Sequence, residues 1–96
     1  MRKKIGSVTY DTDAAWVKIV GTDVYAVTDE NRHCEEILYR TAQGNWFIIG
    51  TGGVLSRYNG DVPVLIAITP SEARLWLYHH STPEIRATYF GGNEAP

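Results

Sequence analysis

Two helix starts, Thr69-Pro70-Ser71-Glu72 and Ser81-Thr82-Pro83-Glu84, make the last third of this chain helical. In the first, the Thr69 hydroxyl is placed to accept the backbone N–H of Glu72 while the Glu72 carboxylate reaches back to the N–H of Thr69, and proline suits the first helical position because no N–H is needed there. Ala73, Leu75, Trp76 and Leu77, with Tyr78 beside them, then supply an apolar stripe able to cover a sheet. The second start repeats the design ahead of Ile85, Ala87, Tyr89 and Phe90, and Gly91-Gly92 stops it.

Everything before Thr69 reads as strand and turn. Ile37-Leu38-Tyr39-Arg40-Thr41 and Trp46-Phe47-Ile48-Ile49 flank Ala42-Gln43-Gly44-Asn45, a hairpin pattern in which Gly44 and Asn45 tolerate positive φ. Lys4 to Tyr10 alternates weakly as a strand. Ala14 to Val20 fits a strand, forming a hairpin with Val24 to Thr28, or a short helix capped by Asp11, Thr12 or Asp13; the pattern leaves both open. Asp29 to Glu36 is polar and reads as a loop. Gly50-Thr51-Gly52-Gly53 must end or bend its strand, and Pro63 belongs at the start or the edge of the strand Val62 to Ile68. Strands first and helices last favour an α+β fold: an antiparallel sheet of about four to six short strands with two short C-terminal helices packed on one face.

Ninety-six residues with 44% hydrophobic and 21% charged side chains suit one folded domain spanning 1–96, with a basic start at 1–4 and a tail at 92–96 that fray. Three tryptophans, Trp16, Trp46 and Trp76, are enough aromatic volume to build much of one core, and at least two are expected there. A single cysteine cannot cross-link the domain to itself, and no apolar run of about 18 residues offers a membrane span. A cytoplasmic protein is the expectation.

Charge is distributed unevenly. Between Asp11 and Glu36 seven acids face two bases, a net of -5, whereas the charges after Glu36 balance. Such a segment repels phosphate backbones and attracts basic surfaces, which argues against direct nucleic-acid binding and for a protein partner. The contact residues expected on that ground are Asp11, Asp13, Asp29, Glu30, Glu35 and Glu36, joined by Arg57 and Tyr58, whose residue types are enriched at binding hot spots.

The same residues offer little chemistry. His33-Cys34-Glu35-Glu36 collects ligand types as sequence neighbours, which rarely converge on one metal, and structural zinc asks for four Cys or His. His79 and His80 suit a helix end, where positive charge meets the dipole. A Cys34 thiolate activated by His33 would need hydrogen-bond geometry that adjacent residues seldom reach. The Gly50 to Gly53 stretch lacks the lysine and the following helix of a phosphate loop. No catalytic residue, cofactor or metal is therefore expected.

Taken together, Tyr10-Asp11-Thr12, Leu38-Tyr39-Arg40-Thr41, Gly44-Asn45-Trp46-Phe47, Gly52-Gly53-Val54-Leu55-Ser56-Arg57-Tyr58 and Ile68-Thr69-Pro70-Ser71-Glu72-Ala73 with Trp76 resemble a family of small proteins of bacteria and their phages. The resemblance covers about residues 10 to 77, and Gly21 to Arg32 departs from the pattern. Some proteins similar to that family are counted among anti-CRISPR inhibitors. The resemblance thus implies a phage or mobile-element protein that binds a CRISPR effector complex without catalysis; the alternative is a regulatory or host-target-binding module, as a monomer or as a homodimer through a sheet edge.

Overall fold

The computed structural model describes residues 1–21, 34–52 and 60–90, and within them the chain forms six strands followed by two helices. Strands β1 (Arg2–Ile5) and β2 (Val8–Asp11) make an N-terminal hairpin, with Ile5 opposite Val8 and Gly6 at φ 61° in the connecting turn. Strands β3 (Val17–Val20), β4 (Cys34–Arg40), β5 (Trp46–Gly52) and β6 (Gly60–Ile68) form an antiparallel sheet in that order. Helices α1 (Pro70–His80) and α2 (Pro83–Phe90) complete the α+β architecture.

Because side chains alternate across a strand, one register assigns every residue of the sheet to a face. Ile19, Leu38, Trp46 and Ile48 meet Ala73, Trp76 and Leu77 of α1, and Ile85, Tyr89 and Phe90 of α2 close over the same cluster. The Trp46 ring stacks on Phe90 at 5.3 Å and meets Tyr89 edge-on at 6.2 Å. On the opposite face Tyr39, Phe47 and Leu65 lie under Tyr10, with Val8 beside it. The sheet is therefore covered on one side by the helices and on the other by the N-terminal hairpin, a layer absent from the expectation above.

Several local expectations change. The basic start, read as a fraying end, forms β1, whose ladder extends past Arg2: Thr12 N–H donates to Met1 O at 2.9 Å. Lys4 to Tyr10 is not one strand, because Gly6-Ser7 turns the chain back on itself. Of Ala14 to Val20, only Val17–Val20 is strand and none of it is helix. The aspartates are used in a turn instead, with Asp13 N–H donating to Asp11 Oδ1 at 3.0 Å and Ala14 N–H to Asp11 O at 3.3 Å. β3 pairs with β4; its expected partner, Val24 to Thr28, lies outside the described residues. Cys34 to Glu36, read as loop, opens β4 opposite Gly50 to Gly52, where the register shifts. The β5–β6 register shifts between Gly50 and Gly52, and β5 ends at Gly52, within the glycine stretch.

The β4–β5 turn follows its pattern: Thr41 N–H donates to Asn45 O at 2.9 Å, Asn45 N–H to Thr41 Oγ1 at 3.0 Å, and Gly44 adopts φ 92°. Pro63 lies in β6, an outer strand, where a missing N–H costs least. In α1 the buried stripe is Ala73, Trp76 and Leu77, while Leu75 and Tyr78 are about half exposed. Those two fall off the i, i+3, i+4 face that the sheet covers.

The α1 cap is complete, with Glu72 N–H donating to Thr69 Oγ1 at 3.1 Å and Thr69 N–H to Glu72 Oε1 at 2.9 Å. In α2 the third helical position is Ile85, so Thr82 Oγ1 accepts its N–H at 3.2 Å and no carboxylate answers. Thr69→Ala is expected to cost about 1 kcal/mol in urea unfolding at neutral pH. The backbone N–H of Thr69, and then its side chain, hold the Glu72 carboxyl below its ordinary 4.5. Its folded value lies under its unfolded one, so its contribution is present above about pH 4.5 and is lost as pH falls through the lower folded value. The stability gap between the wild type and Glu72→Gln should therefore narrow on acidification; a constant gap from pH 7 to pH 3 would contradict the cap's electrostatic role.

Candidate partner-binding surface

The acidic residues that the sequence groups together are separated by the fold. Glu36 is 3% exposed: it lies on the helix side of β4, where its Oε1 accepts the indole N–H of Trp76 at 2.9 Å. Its neighbour across the sheet is Gly50, which has no side chain to occupy the space beside the indole. A carboxylate held there is part of the interior, and this corrects its placement on an exposed acidic face. Alternation turns Glu35 the other way, exposed and opposite Thr51. Asp11 is half-buried, stands opposite Arg2 in the hairpin and accepts from Asp13 N–H; Asp13 is exposed.

Asp13 precedes by three residues Trp16, whose N–H donates to Arg40 O at 3.0 Å at the far end of β4 from Glu35. At roughly 3.3 Å per residue, that spacing along β4 is about 17 Å. The two ends act as separate charges, since screening sets in at about 8 Å at physiological ionic strength. Asp29, Glu30, Arg57 and Tyr58 lie outside the described residues, as does His33.

Exposed apolar side chains mark a different surface. Trp16 is 78% exposed and Val20 64%. Val17 and Ile19 pack toward the helices, so Lys18 and Val20 belong to the other side of β3, and Trp16 immediately precedes the strand. Among the described residues the N-terminal hairpin packs on Tyr39, Phe47 and Leu65 on that side, and Lys18 and Val20 are exposed. Sequence reasoning missed Trp16 because tryptophan suggests core.

Between α1 and the sheet is an open cleft of about 260 Å³ lined by Glu36, Glu72, Leu75, Trp76, His79 and His80. His79 and His80 end α1 as expected, and the His80 ring packs edge-on against Trp76 at 5.3 Å. Among the described residues no group of three or more His, Cys, Asp or Glu is placed to hold a metal ion, and no helix is long and apolar enough to cross a membrane.

Among the described residues, fold and surface define a small α+β protein whose sheet carries helices on one face and a hairpin on the other, with Trp16 and Val20 exposed at the β3 end. No protein-family model, curated protein or solved structure matches the chain.

Proposed function

We propose that this protein acts in the bacterial cytoplasm by binding a protein partner, without chemistry of its own, and that Trp16 lies in the contact. The observation that carries the reading is the 78% exposure of Trp16, with Val20 four residues further on exposed at 64%. Burying a large apolar ring that water otherwise covers is favourable, and tryptophans that fill a partner's pocket dominate binding energies. The rigid sheet beneath reduces the ordering cost on association.

The partner we propose on the resemblance described above is a CRISPR effector complex, which the protein would inhibit by occupying it. Immobilised protein presented with purified CRISPR effector complexes should retain one of them. Trp16→Ala should weaken that binding by at least about 2 kcal/mol, roughly 30-fold in Kd. Because Trp16 is exposed, its removal should leave the unfolding midpoint nearly unchanged, so lost binding is not lost folding. Retention of no effector removes the CRISPR assignment; retention unaffected by Trp16→Ala removes this surface. Charge reversal at Asp29, Glu30 and Glu35 tests the acidic contribution. Glu36 is left out because reversing a buried charge would unfold the protein first.

A further inference from the structure

We infer that the outer edge of β6 is a self-association surface: two copies of this chain pair antiparallel through β6 about a two-fold axis at Ile66, which joins their four-stranded sheets. β6 is the edge of the sheet opposite to β3, so this contact is independent of the Trp16 reading above.

Backbone hydrogen bonds fix which groups β6 turns outward. Gly21 N–H donates to Glu36 O at 2.9 Å, so the even-numbered residues of β4 face β3; Thr41 N–H donates to Asn45 O at 2.9 Å, so the odd-numbered ones face β5. Bonded and non-bonded pairs alternate along an antiparallel ladder. The bonded pairs between β4 and β5 are therefore Tyr39–Phe47 and Ile37–Ile49, which leaves Trp46, Ile48 and Gly50 to bond across to Ile68, Ile66 and Val64. Leu65 and Ala67 then direct their N–H and C=O away from β5, and Pro63, two residues before Leu65, has no N–H to direct. Among the described residues no strand takes up those groups.

Exposed edges are commonly blunted by charge, and the two outer strands differ in that respect. β3 has four residues with the exposed Lys18 among them, whereas Val62 to Ile68 is a run of seven without a charge. A pairing centred on Ile66 sets Leu65 against Ala67 of the second copy as the bonded pair, twice over by symmetry, and stops at Pro63, where the ladder loses its donor. Side chains agree with that register, since Ile66 meets Ile66 and Val64 meets Ile68, with no charged residue among them. Ile68 packs with the helix-side cluster, so Val64 and Ile66 share that face. Antiparallel strands related by a two-fold present the same face, which puts the helices of both copies on one side of the joined sheet. On that side Val64 is 38% exposed, and Leu75, which lines the cleft beside Ile68, is 49% exposed. With Ile68 of one copy against Val64 of the other, each Leu75 is carried toward the opposing valine and the two apolar margins cover each other. Pairing β6 with β3 of another copy would instead bring Lys18 into the margin and leave an open chain of molecules. The contact is one strand and one helix flank wide, smaller than the roughly 1,600 Å² of a standard interface, so the dimer is a weak one.

Sedimentation equilibrium on the full chain, from about 5 μM to about 1 mM, tests it: the chain should pass reversibly from monomer to dimer with a dissociation constant of about 10–100 μM. Val64→Lys, at an exposed position, should weaken association at least about tenfold, and so should Ala67→Pro, which deletes an outward N–H and no bond to β5. Thermal melts should show both variants folded. Amide exchange of the wild type needs no variant, because protection at Leu65 and Ala67 should rise with protein concentration while Ile66, bonded to β5, is protected in the monomer already. A monomer at millimolar concentration overturns the proposal. So does a dimer in which Leu65 and Ala67 exchange as fast as in the monomer, or one that either folded variant leaves intact. Growth past the dimer would signal β6–β3 pairing, and a dimer lost in Trp16→Ala would move the contact to the other edge; each overturns it too. If the chain stayed monomeric and protected those two amides only on adding an end-capped threonine–valine peptide, the edge would belong to an extended segment of another protein and self-pairing would be refuted.

Discussion

Replacing Phe47 with alanine is expected to lower the unfolding free energy by about 3–5 kcal/mol, enough to leave a chain of this length marginal or unfolded at 37 °C. Phe47 is fully buried in the second strand of the central hairpin. Its ring stacks on Tyr39 at 5.1 Å and meets Tyr10 edge-on at 5.4 Å, joining the sheet to the N-terminal hairpin. An alanine leaves a space that two tyrosines cannot fill without turning their hydroxyls inward. Among the described residues Phe47 is the fully buried anchor beneath the N-terminal hairpin, so amide exchange in Val8–Asp11 should accelerate before the helix side opens. Urea unfolding followed by circular dichroism gives the first number and hydrogen exchange the second. A loss below about 1 kcal/mol would mean that the hairpin layer contributes little to the fold.

The second large effect belongs to Trp76 and Glu36. Trp76→Ala removes a buried ring from the helix-side cluster and takes from Glu36 the indole donor, for an expected cost of about 3–5 kcal/mol. Trp76→Phe keeps most of the ring and removes only the donor, so it should cost about 1–3 kcal/mol. Glu36→Gln retains an oxygen able to accept from the indole and should be the mildest change; Glu36→Ala strands a buried N–H and should resemble Trp76→Phe. A double-mutant cycle between Glu36→Ala and Trp76→Phe should return a coupling of about 0.5–3 kcal/mol. Additive effects would mean that the 2.9 Å contact does no more than fill space. The result also governs how binding data are read. A Glu36 charge reversal that abolished partner binding would report unfolding, whereas Trp16 is exposed and reports contact.

Legibility followed the range of the interaction. Thr69 and Glu72 recognise each other three residues apart, and the turn at Gly44 is closed by Thr41 and Asn45, so both were readable from neighbours in the chain. The split of Lys4 to Tyr10 was also local, since Gly6-Ser7 separates Ile5 from Val8, but three consecutive basic residues concealed β1 because its pairing is made by backbone atoms rather than side chains. Leu75 and Tyr78 were placed on the covered face of α1 by hydrophobicity alone. The turn spacing from Ala73 through Trp76 and Leu77 instead continues to His80, which is polar and was assigned to the helix end.

Glu36 and Trp16 were beyond reach for a different reason. Glu36 is buried by a residue forty positions later, and no pattern around it distinguishes it from Glu35 until α1 is laid on the sheet. Trp16 is exposed just ahead of β3, and among the described residues the hairpin-side cluster takes its residues of the four-stranded sheet from β4 to β6 and none from β3, a matter of where one layer ends. Caps, turns and strand periods are set by groups within a few residues of one another, and the residues alone were sufficient for the helix starts, the central hairpin and the α+β class. Which carboxylate is displayed and which tryptophan meets water depend on which faces come into contact, and only the assembled layers decide that.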